Sequence, residues 1–301
     1  MRIRRSLIDL DDLDQHELAY VFGRTAEFER AAPGPLLSGV ACANMFFEQS
    51  TRTFASFNLA ELNLGANVVN LSPKDLSLAT KGETLEDTAI TLSAMGFCVL
   101  VVRHPEAGFP QRIARSFDGH VVNAGDGAHA HPTQGLLDLY TLIEEFGELA
   151  GRTVAVVGDV VHSRVAHSTV RGLIRLGARV VLVGPECLLP EDHAEAGVEI
   201  ERDFDKILPS ADAIVLLRIQ RERFASMEMS DEDYVRLYRL DKARLARVRE
   251  SAVIMHPGPY NRGVELDDSV LTFAGWRYTK QVHHGVAVRM AVLDFLVNGR
   301  A

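Results

Sequence analysis

The sequence predicts an α/β protein made of two doubly wound parallel-sheet domains that are joined by a helix. Short β-branched or apolar segments alternate with segments of helical periodicity, which is the pattern of βαβ units. The strand segments are apolar throughout, so both faces of each sheet are expected to be covered. They form two sets, one before about residue 125 and one after residue 151. A final apolar segment at helical spacing predicts a C-terminal helix that packs back on the first domain.

The individual segments can be read from the sequence. Those predicted as strands are Val68–Leu71, Phe97–Val102, Val121–Asn123, Thr153–Val157, Arg179–Val183, Ala213–Leu217 and Ala252–Met255. Those predicted as helices are Ser56–Leu64, Thr84–Met95, Gln134–Phe146, Ser163–Leu176 and Val286–Val297. We place the first domain at residues 1–133 with the terminal helix 285–301, the connecting helix at 134–150 and the second domain at 151–284.

Composition excludes several classes of protein. The chain has 301 residues, 47% of them hydrophobic, and a net charge of −9, which argues against disorder and against nucleic acid as the main partner. Cys42, Cys98 and Cys187 show no metal-type spacing and suit reduced thiols. The N-terminus lacks the apolar core of a signal peptide, and no apolar run approaches the ~20 residues of a membrane span. We expect a cytoplasmic protein with no membrane partner.

The segment Phe46–Thr53 precedes a predicted helix and ends in Ser50-Thr51-Arg52-Thr53. Hydroxyl groups, a guanidinium and unpaired backbone N–H groups at a helix N-terminus favour an anion such as phosphate. An ordinary Ser/Thr cap beside a surface arginine explains the same residues equally well.

Three further loops of the first domain carry polar residues at strand ends or helix entries. Ser77 and Lys81 precede a helix, Arg103 ends a strand, and His131 and Gln134 lie at the entry of the connecting helix. Each alone is typical of a solvated loop. Because the carboxyl ends of parallel strands face the ligand crevice, their common placement favours a binding site. No metal site is predicted.

The second domain repeats this pattern. The turn from Gly158 to Arg164 lacks the G-x-G-x-x-G glycines, which disfavours a dinucleotide and hydride transfer. Arg218 and Gln220 alternate after another strand, and His256-Pro257-Gly258-Pro259 follows a third. The Pro-Gly-Pro run predicts a rigid backbone whose carbonyl groups can face a ligand.

Together these motifs resemble the aspartate/ornithine carbamoyltransferase family over nearly the whole chain. Seven appear in order, and the set is far more specific than any one of them: Ser50–Thr53, Lys81–Thr84, Arg103–Pro105, His131–Gln134, Arg164, Arg218–Gln220 and His256–Pro259. The last two are similar to the aspartate branch. Phe54 and Asn58 depart from the family pattern, which usually has a basic residue at the first position and Glu or Gln at the second; this puts local packing or subunit contacts in doubt.

The resemblance implies transfer of the carbamoyl group of carbamoyl phosphate to L-aspartate, the committed step of pyrimidine synthesis, with no metal or cofactor. It implies phosphate binding by Ser50, Thr51, Arg52 and Thr53, and polarisation of the carbonyl oxygen by Thr53, Arg103 and His131. Gln134 and the carbonyls around Pro257 and Gly258 would hold the carbamoyl NH₂. The aspartate carboxylates would be held by Lys81, Arg164, Arg218 and Gln220.

The resemblance also implies a homotrimer with shared active sites, in which Ser77 and Lys81 reach the site of a neighbouring subunit. Glu48 would pair with Arg164 and Arg223 when the domains close. A regulatory chain or a dihydroorotase as a further partner stays open. Two alternatives also remain, a carbamoyltransferase for another amino acid and a non-catalytic scaffolding paralogue. The second should have lost Arg52, Lys81, Arg103 or His131, and the chain keeps all four.

Overall fold

The computed structural model describes residues 5–72, 82–190, 197–219 and 229–299. The described residues form two compact units, one within Met1–Leu137 together with Val282–Ala301 and one within Asp138–Gln281. Each unit contains one sheet in which all paired strands run parallel. The predicted fold class is thereby confirmed, and the domain limits drawn from the sequence stay a prediction.

The first unit is a four-stranded sheet with the order β2-β1-β3-β4. Its strands are β1 (Ala41–Phe46), β2 (Asn67–Leu71), β3 (Val99–His104) and β4 (His120–Asp126), and its helices are α1 (Gln15–Arg30), α2 (Thr51–Asn63), α3 (Leu85–Ala94) and α4 (Phe109–Ser116). The strand order reverses between β1 and β3. In open α/β sheets, ligands bind outside the carboxyl ends of the strands at such a reversal.

Strand β1 was not among the strands that the sequence predicts. Its segment begins Ala-Cys-Ala-Asn, which lacks the β-branched residues that mark strands. The sheet itself overrides this weak preference, because β1 pairs with β2 on one side and β3 on the other. Cys42 and Ala43 are fully buried, so small side chains suit this central position.

The second unit is a five-stranded sheet with the order β7-β6-β5-β8-β9. Its strands are β5 (Thr153–Val157), β6 (Arg179–Val183), β7 (Val198–Glu201), β8 (Ala213–Leu216) and β9 (Val253–Met255). The helices are α5 (Pro132–Phe146), which begins in the first unit, α6 (Arg164–Arg175), α7 (Phe204–Ile207), α8 (Asp231–Tyr238) and α9 (Lys242–Leu245). The last helix, α10 (Tyr278–Asn298), begins in this unit and lies mostly in the first. Here the strand order reverses between β5 and β8.

Helix α10 is the predicted C-terminal helix, and from Val282 onward it belongs to the first unit. Asp294 accepts a hydrogen bond of 2.9 Å from Arg24 Nε on α1, and Arg289 donates one of 2.9 Å to Ser56 Oγ on α2. The predicted return of this helix to the first domain is therefore confirmed. None of the helices in the described ranges combines the length and apolar character that crossing a bilayer requires.

The two departures from the family pattern both lie on α2. The ring of Phe54 packs edge-on against Phe46 of β1, with 5.2 Å between centroids. The side chain of Asn58 donates to the Phe54 carbonyl at 3.0 Å and accepts from Asn70 of β2 at 2.8 Å. Phe54 thus packs α2 against the interior strand β1, and Asn58 ties it to the edge strand β2.

Glu61 of α2 is fully buried and accepts a 2.7 Å hydrogen bond from Asn44 of β1. Burial disfavours the charged carboxylate and raises the pKa of Glu61 to about 7, while the bond from Asn44 opposes this shift. In the unfolded chain, the Glu61 carboxyl has the ordinary glutamate pKa of about 4.3. Between these two pKa values the folded state holds more protons than the unfolded state, so stability falls as pH rises.

We expect the free energy of unfolding to decrease by about 3 kcal/mol from this group between pH 4.5 and 7. Glu61→Gln cannot ionise and should remove that part of the pH dependence. Between pH 5 and pH 8 the variant should therefore lose less unfolding free energy than wild type. Urea unfolding at several pH values measures this. Parallel stability profiles for the two proteins would contradict the assignment.

Candidate active site

The N-terminus of α2 lies directly after β1, next to the strand reversal of the first sheet. Ser50 is the N-cap, and its Oγ accepts a long 3.4 Å hydrogen bond from the Thr53 N–H. The first turn carries no acidic residue, unlike the first turn of α3 with Glu86 and Asp87. The positive end of the helix dipole is therefore not offset by a carboxylate of its own first turn, which suits an anion. Of the two alternatives that the sequence left open, the Ser50 cap is observed, and the anion site stays a prediction.

Arg103 is placed beside this helix end by the sheet register, because it lies opposite Phe46 in the pairing of β3 with β1. The residue is only 9% exposed. Its Nη1 donates to the Ala124 carbonyl of β4 at 3.2 Å, and its Nε lies 3.2 Å from Glu48 Oε2. These contacts hold the guanidinium at the carboxyl end of the sheet.

The sequence predicted that this strand ends at Val102, whereas β3 continues through His104. Successive side chains of a strand point to opposite faces, so His104 is directed away from Arg103. Its ring stacks on Phe109 with 3.5 Å between centroids, and burial lowers the pKa of His104. His104 is thereby part of the packing around α4.

His131 and Thr53 come together although they are far apart in the sequence. Thr53 Oγ1 lies 3.5 Å from His131 Nε2, and the two residues are 6% and 3% exposed. Gln134, on the first turn of α5, is also buried. The structure therefore places two of the three predicted carbonyl-polarising groups in contact, at the same sheet edge as Arg103.

The loop before His131 is organised by Asp126, which sequence analysis did not single out. Its buried carboxylate accepts hydrogen bonds from Asn123 Nδ2 at 2.7 Å, Gly108 N at 2.7 Å and Ala130 N at 3.2 Å. A buried carboxylate needs such donors, because an uncompensated charge would be costly to remove from water. The acidic residue between two glycines, in Gly125-Asp126-Gly127, was the sequence feature that could have indicated this role.

In the second unit, Arg164 and Arg218 follow the two strands that flank the reversal, β5 and β8. Ser163 caps α6 by accepting from Ala166 N at 3.1 Å, so Arg164 is the first residue of that helix. The turn before it requires Gly158, since its φ is +121° and a Cβ would lie 3.1 Å from the Tyr234 hydroxyl oxygen. Arg218 is exposed beyond β8.

The segment that carries Arg218 is fixed by Glu265, another residue that the sequence did not reveal. Glu265 Oε1 accepts from Ile219 N at 2.8 Å, and its Oε2 accepts from Asn261 N at 2.7 Å. Burial raises the pKa of Glu265, against the effect of these bonds. The carboxylate ties the end of β8 to the loop after β9.

That loop contains His256, Pro257 and Gly258. Gly258 has φ of +69° and forms a cis bond with Pro259. Gly258 N donates to His256 Nδ1 at 2.8 Å, so Nδ1 is unprotonated, and His256 N donates to Gln281 Oε1 at 3.0 Å. The rigid backbone predicted from the Pro-Gly-Pro run is held by these bonds.

Four predicted site residues lie outside the described residues: Ser77, Lys81, Gln220 and Arg223. Their roles stay predictions, as do the roles of the described residues. The predicted pairing of Glu48 with Arg164 and Arg223 also stays a prediction; Glu48 contacts Arg103 in this structure.

Comparison with known proteins identifies the family. Residues 5–144 match the carbamoyl-P binding domain of aspartate/ornithine carbamoyltransferase, and residues 150–296 match its Asp/Orn binding domain. The aspartate carbamoyltransferase catalytic subunit of Salinispora arenicola is 50% identical over 287 residues, covering 94% of this chain and 91% of the relative. That of Salinispora tropica is 47% identical over 304 residues, covering 98% of each.

Solved structures agree. Aspartate transcarbamoylase from Trypanosoma cruzi in complex with carbamoyl phosphate superposes with a TM-score of 0.86 and 31% identity, covering 97% of this chain and 95% of that one. Its complex with carbamoyl phosphate and aspartate gives a TM-score of 0.84 and 30% identity at the same coverage. The resemblance predicted from the sequence motifs is thus confirmed, and the chain belongs to the aspartate/ornithine carbamoyltransferase family.

Proposed function

We propose that this chain transfers the carbamoyl group of carbamoyl phosphate to L-aspartate, giving N-carbamoyl-L-aspartate and phosphate in the committed step of pyrimidine synthesis. The observation that carries the proposal is the meeting of Thr53 with His131 at the α2 N-terminus, beside Arg103. Relatives that are nearly half identical over almost the whole chain have the same named activity.

The first unit supplies the groups that an activated carbamoyl donor requires. The α2 N-terminus, with Ser50, Thr51, Arg52 and Thr53, binds the phosphate through backbone N–H groups, hydroxyls and a guanidinium. Thr53, Arg103 and His131 donate hydrogen bonds to the carbonyl oxygen. Negative charge grows on that oxygen as the amine attacks, so donors fixed in advance stabilise the transition state more than the ground state.

The remaining roles concern the NH₂ group and the acceptor. Gln134 and the carbonyls of Pro257 and Gly258 hold the carbamoyl NH₂. The two aspartate carboxylates are bound by cationic and amide groups: Lys81, Arg164, Arg218 and Gln220. The planar guanidinium fork suits a carboxylate. The amine attacks as the neutral base, and the departing phosphate accepts its proton. Pairing of Glu48 with Arg164 and Arg223 accompanies closure on both substrates.

The assembly we propose is a cytoplasmic homotrimer in which Ser77 and Lys81 act in a neighbouring subunit's site. Exposed apolar side chains in the first unit support an interface there, among them Leu59 and Leu62 of α2 and Val69 of β2. Apolar groups gathered on a surface are stabilised by a protein partner that removes them from water. A regulatory chain or a dihydroorotase is a further partner to be sought by co-purification.

A colorimetric ureido assay with carbamoyl phosphate and L-aspartate tests the activity. We expect product formation that N-phosphonacetyl-L-aspartate, which joins features of both substrates, inhibits strongly. L-Ornithine and other amino acids serve as alternative acceptors in the same assay. Preference for another acceptor would correct the substrate, and inactivity with every acceptor would overturn the proposal.

Arg218→Ala is expected to raise the aspartate KM about 10- to 100-fold, because one charge-assisted contact with a carboxylate is lost. The KM for carbamoyl phosphate should change little, since no role in donor binding is assigned to Arg218. Initial rates at varied aspartate measure the effect. Arg262→Ala is the matched control, because Arg262 is exposed and forms a 2.8 Å ion pair with Asp268. Equal KM values for Arg218→Ala and wild type would contradict the assignment.

A further inference from the structure

A chain of buried hydrogen bonds leads from the loop after β9 into the interior of the second unit. The His256 N–H donates to Gln281 Oε1 at 3.0 Å, and Gln281 Nε2 donates to Asp138 Oδ1 at 2.8 Å. Thr169 Oγ1 donates to Asp138 Oδ2 at 3.0 Å. All four residues are at most 2% exposed, so these polar groups are shielded from water.

The order of donors and acceptors makes the side chain at position 281 specific. The backbone N–H of His256 needs an acceptor, whereas the carboxylate of Asp138 needs donors. An amide offers one acceptor and two donors, so Gln281 satisfies both neighbours at once. The carboxylate in turn orients the amide, because the reversed orientation would place two oxygens together and two N–H groups together.

The helices that carry this chain are also joined by ion pairs. Glu145 of α5 accepts from Arg277 Nη2 at 2.9 Å and from Lys280 Nζ at 2.7 Å. The hydrogen bond from Arg277 is the largest of the influences that lower the pKa of Glu145. Gln281 is the residue after Lys280, so these bonds to Glu145 also hold its backbone near α5.

The residue that Gln281 binds is the one that precedes Pro257. The loop returns on itself through the 2.8 Å bond from Gly258 N to His256 Nδ1. The position of His256 therefore determines where the carbonyl oxygens of Pro257 and Gly258 lie. A shift of the His256 N–H would move both carbonyls.

We propose that Gln281 and Asp138 are positioning residues for recognition of the carbamoyl NH₂ group. They hold the Pro257 and Gly258 carbonyls where these accept hydrogen bonds from the donor, and so favour an amide over a group of the same shape that cannot donate. This inference rests on the proposed function and extends it to the selectivity for the donor.

Two stable phosphonates measure this selectivity directly. Phosphonoacetamide presents an NH₂ group, and phosphonoacetone presents a methyl group of similar size in its place. We expect wild type to bind the amide more tightly than the ketone in titration calorimetry. Gln281→Glu should reduce amide affinity about fivefold to tenfold, because a carboxylate then faces Asp138 and the loop shifts. Affinity for the ketone and for inorganic phosphate should stay nearly constant.

Exchange of the two groups gives the rescue. In the double variant Asp138→Asn/Gln281→Glu, the new amide at 138 donates to the carboxylate at 281, which still accepts from His256 N. The carboxylate has moved to position 281, and Thr169 retains an acceptor. We expect the double variant to recover the amide preference to within about twofold of wild type. Gln15→Glu, at an exposed position on α1, is the matched control for added charge.

The outcomes are separable. An equal loss of phosphate, ketone and amide affinity in Gln281→Glu would indicate a purely structural role and overturn the inference. If Gln281→Glu does not fold, the double variant decides, because a folded double variant without amide preference also overturns it. Equal affinity of wild type for the amide and the ketone would also overturn the inference, and it would not affect the result of the ureido assay. Absence of carbamoyl transfer with an intact amide preference would instead count against the proposed function alone.

Discussion

Arg103→Ala is expected to lower kcat by about 10²- to 10³-fold, the cost of removing one preorganised donor to a developing oxyanion. The side chain is nearly buried, and its contacts with the Ala124 carbonyl and Glu48 hold it at the sheet edge. Water entering the vacated space is mobile and uncharged, so it cannot replace a fixed guanidinium. The loss should appear in kcat at saturating concentrations of both substrates.

The variant also loses structural contacts, so its folding must be measured alongside its activity. We expect a destabilisation of about 1–3 kcal/mol from loss of the hydrogen bond to the Ala124 carbonyl. Arg112→Ala is the control, because Arg112 on α4 forms an exposed 2.8 Å pair with Glu106 and should leave both properties unchanged. Arg103→Lys keeps the charge without the planar fork and should give an intermediate kcat. A folded Arg103→Ala variant with kcat within tenfold of wild type would remove Arg103 from the mechanism.

Mixing two inactive variants is expected to restore activity. Lys81→Ala and Arg52→Ala should each be nearly inactive, since one lacks a cation and the other the phosphate-binding guanidinium. We assume that each site uses Arg52 from one subunit and Lys81 from its neighbour. A site is then intact only where a Lys81→Ala subunit supplies Arg52 and the adjacent Arg52→Ala subunit supplies Lys81. After random mixing of equal amounts, about one quarter of the sites meet this condition, so about a quarter of wild-type activity should return.

The experiment requires unfolding and refolding the variants together, followed by the ureido assay and a measurement of mass in solution. Arg52→Ala mixed with His131→Ala is the control, because both residues belong to the same described unit and to the same proposed half of the site. That pair should recover nothing. Hybrid trimers of Lys81→Ala and Arg52→Ala that stay inactive would rule out shared sites.

Local sequence explains the parts of the fold that depend on neighbouring residues. The fully apolar strands, such as Thr153–Val157 and Arg179–Val183, were predicted within their observed limits. The helices that begin at Thr84 and Ser163 were predicted from their periodicity, and each observed cap hydroxyl accepts from the N–H group three residues further on, so the helix start is a local feature. Strand β1 was missed because its composition is poor in β-branched residues, and only pairing with strands on both sides makes it extended.

The sequence by itself determined the fold class, the family and the set of candidate site residues, because strands, caps and motifs depend on residues that are close together in the chain. The tertiary structure decided which of these groups meet. Thr53 reaches His131 across 78 positions, and Gln281 reaches Asp138 across 143. Glu265 and Gln281 have no local signature of their roles, since each satisfies backbone groups that become buried only when the sheet and its loops are assembled. Hydrogen bonds over such separations depend on packing and sheet register, which is why no spacing rule could reveal them.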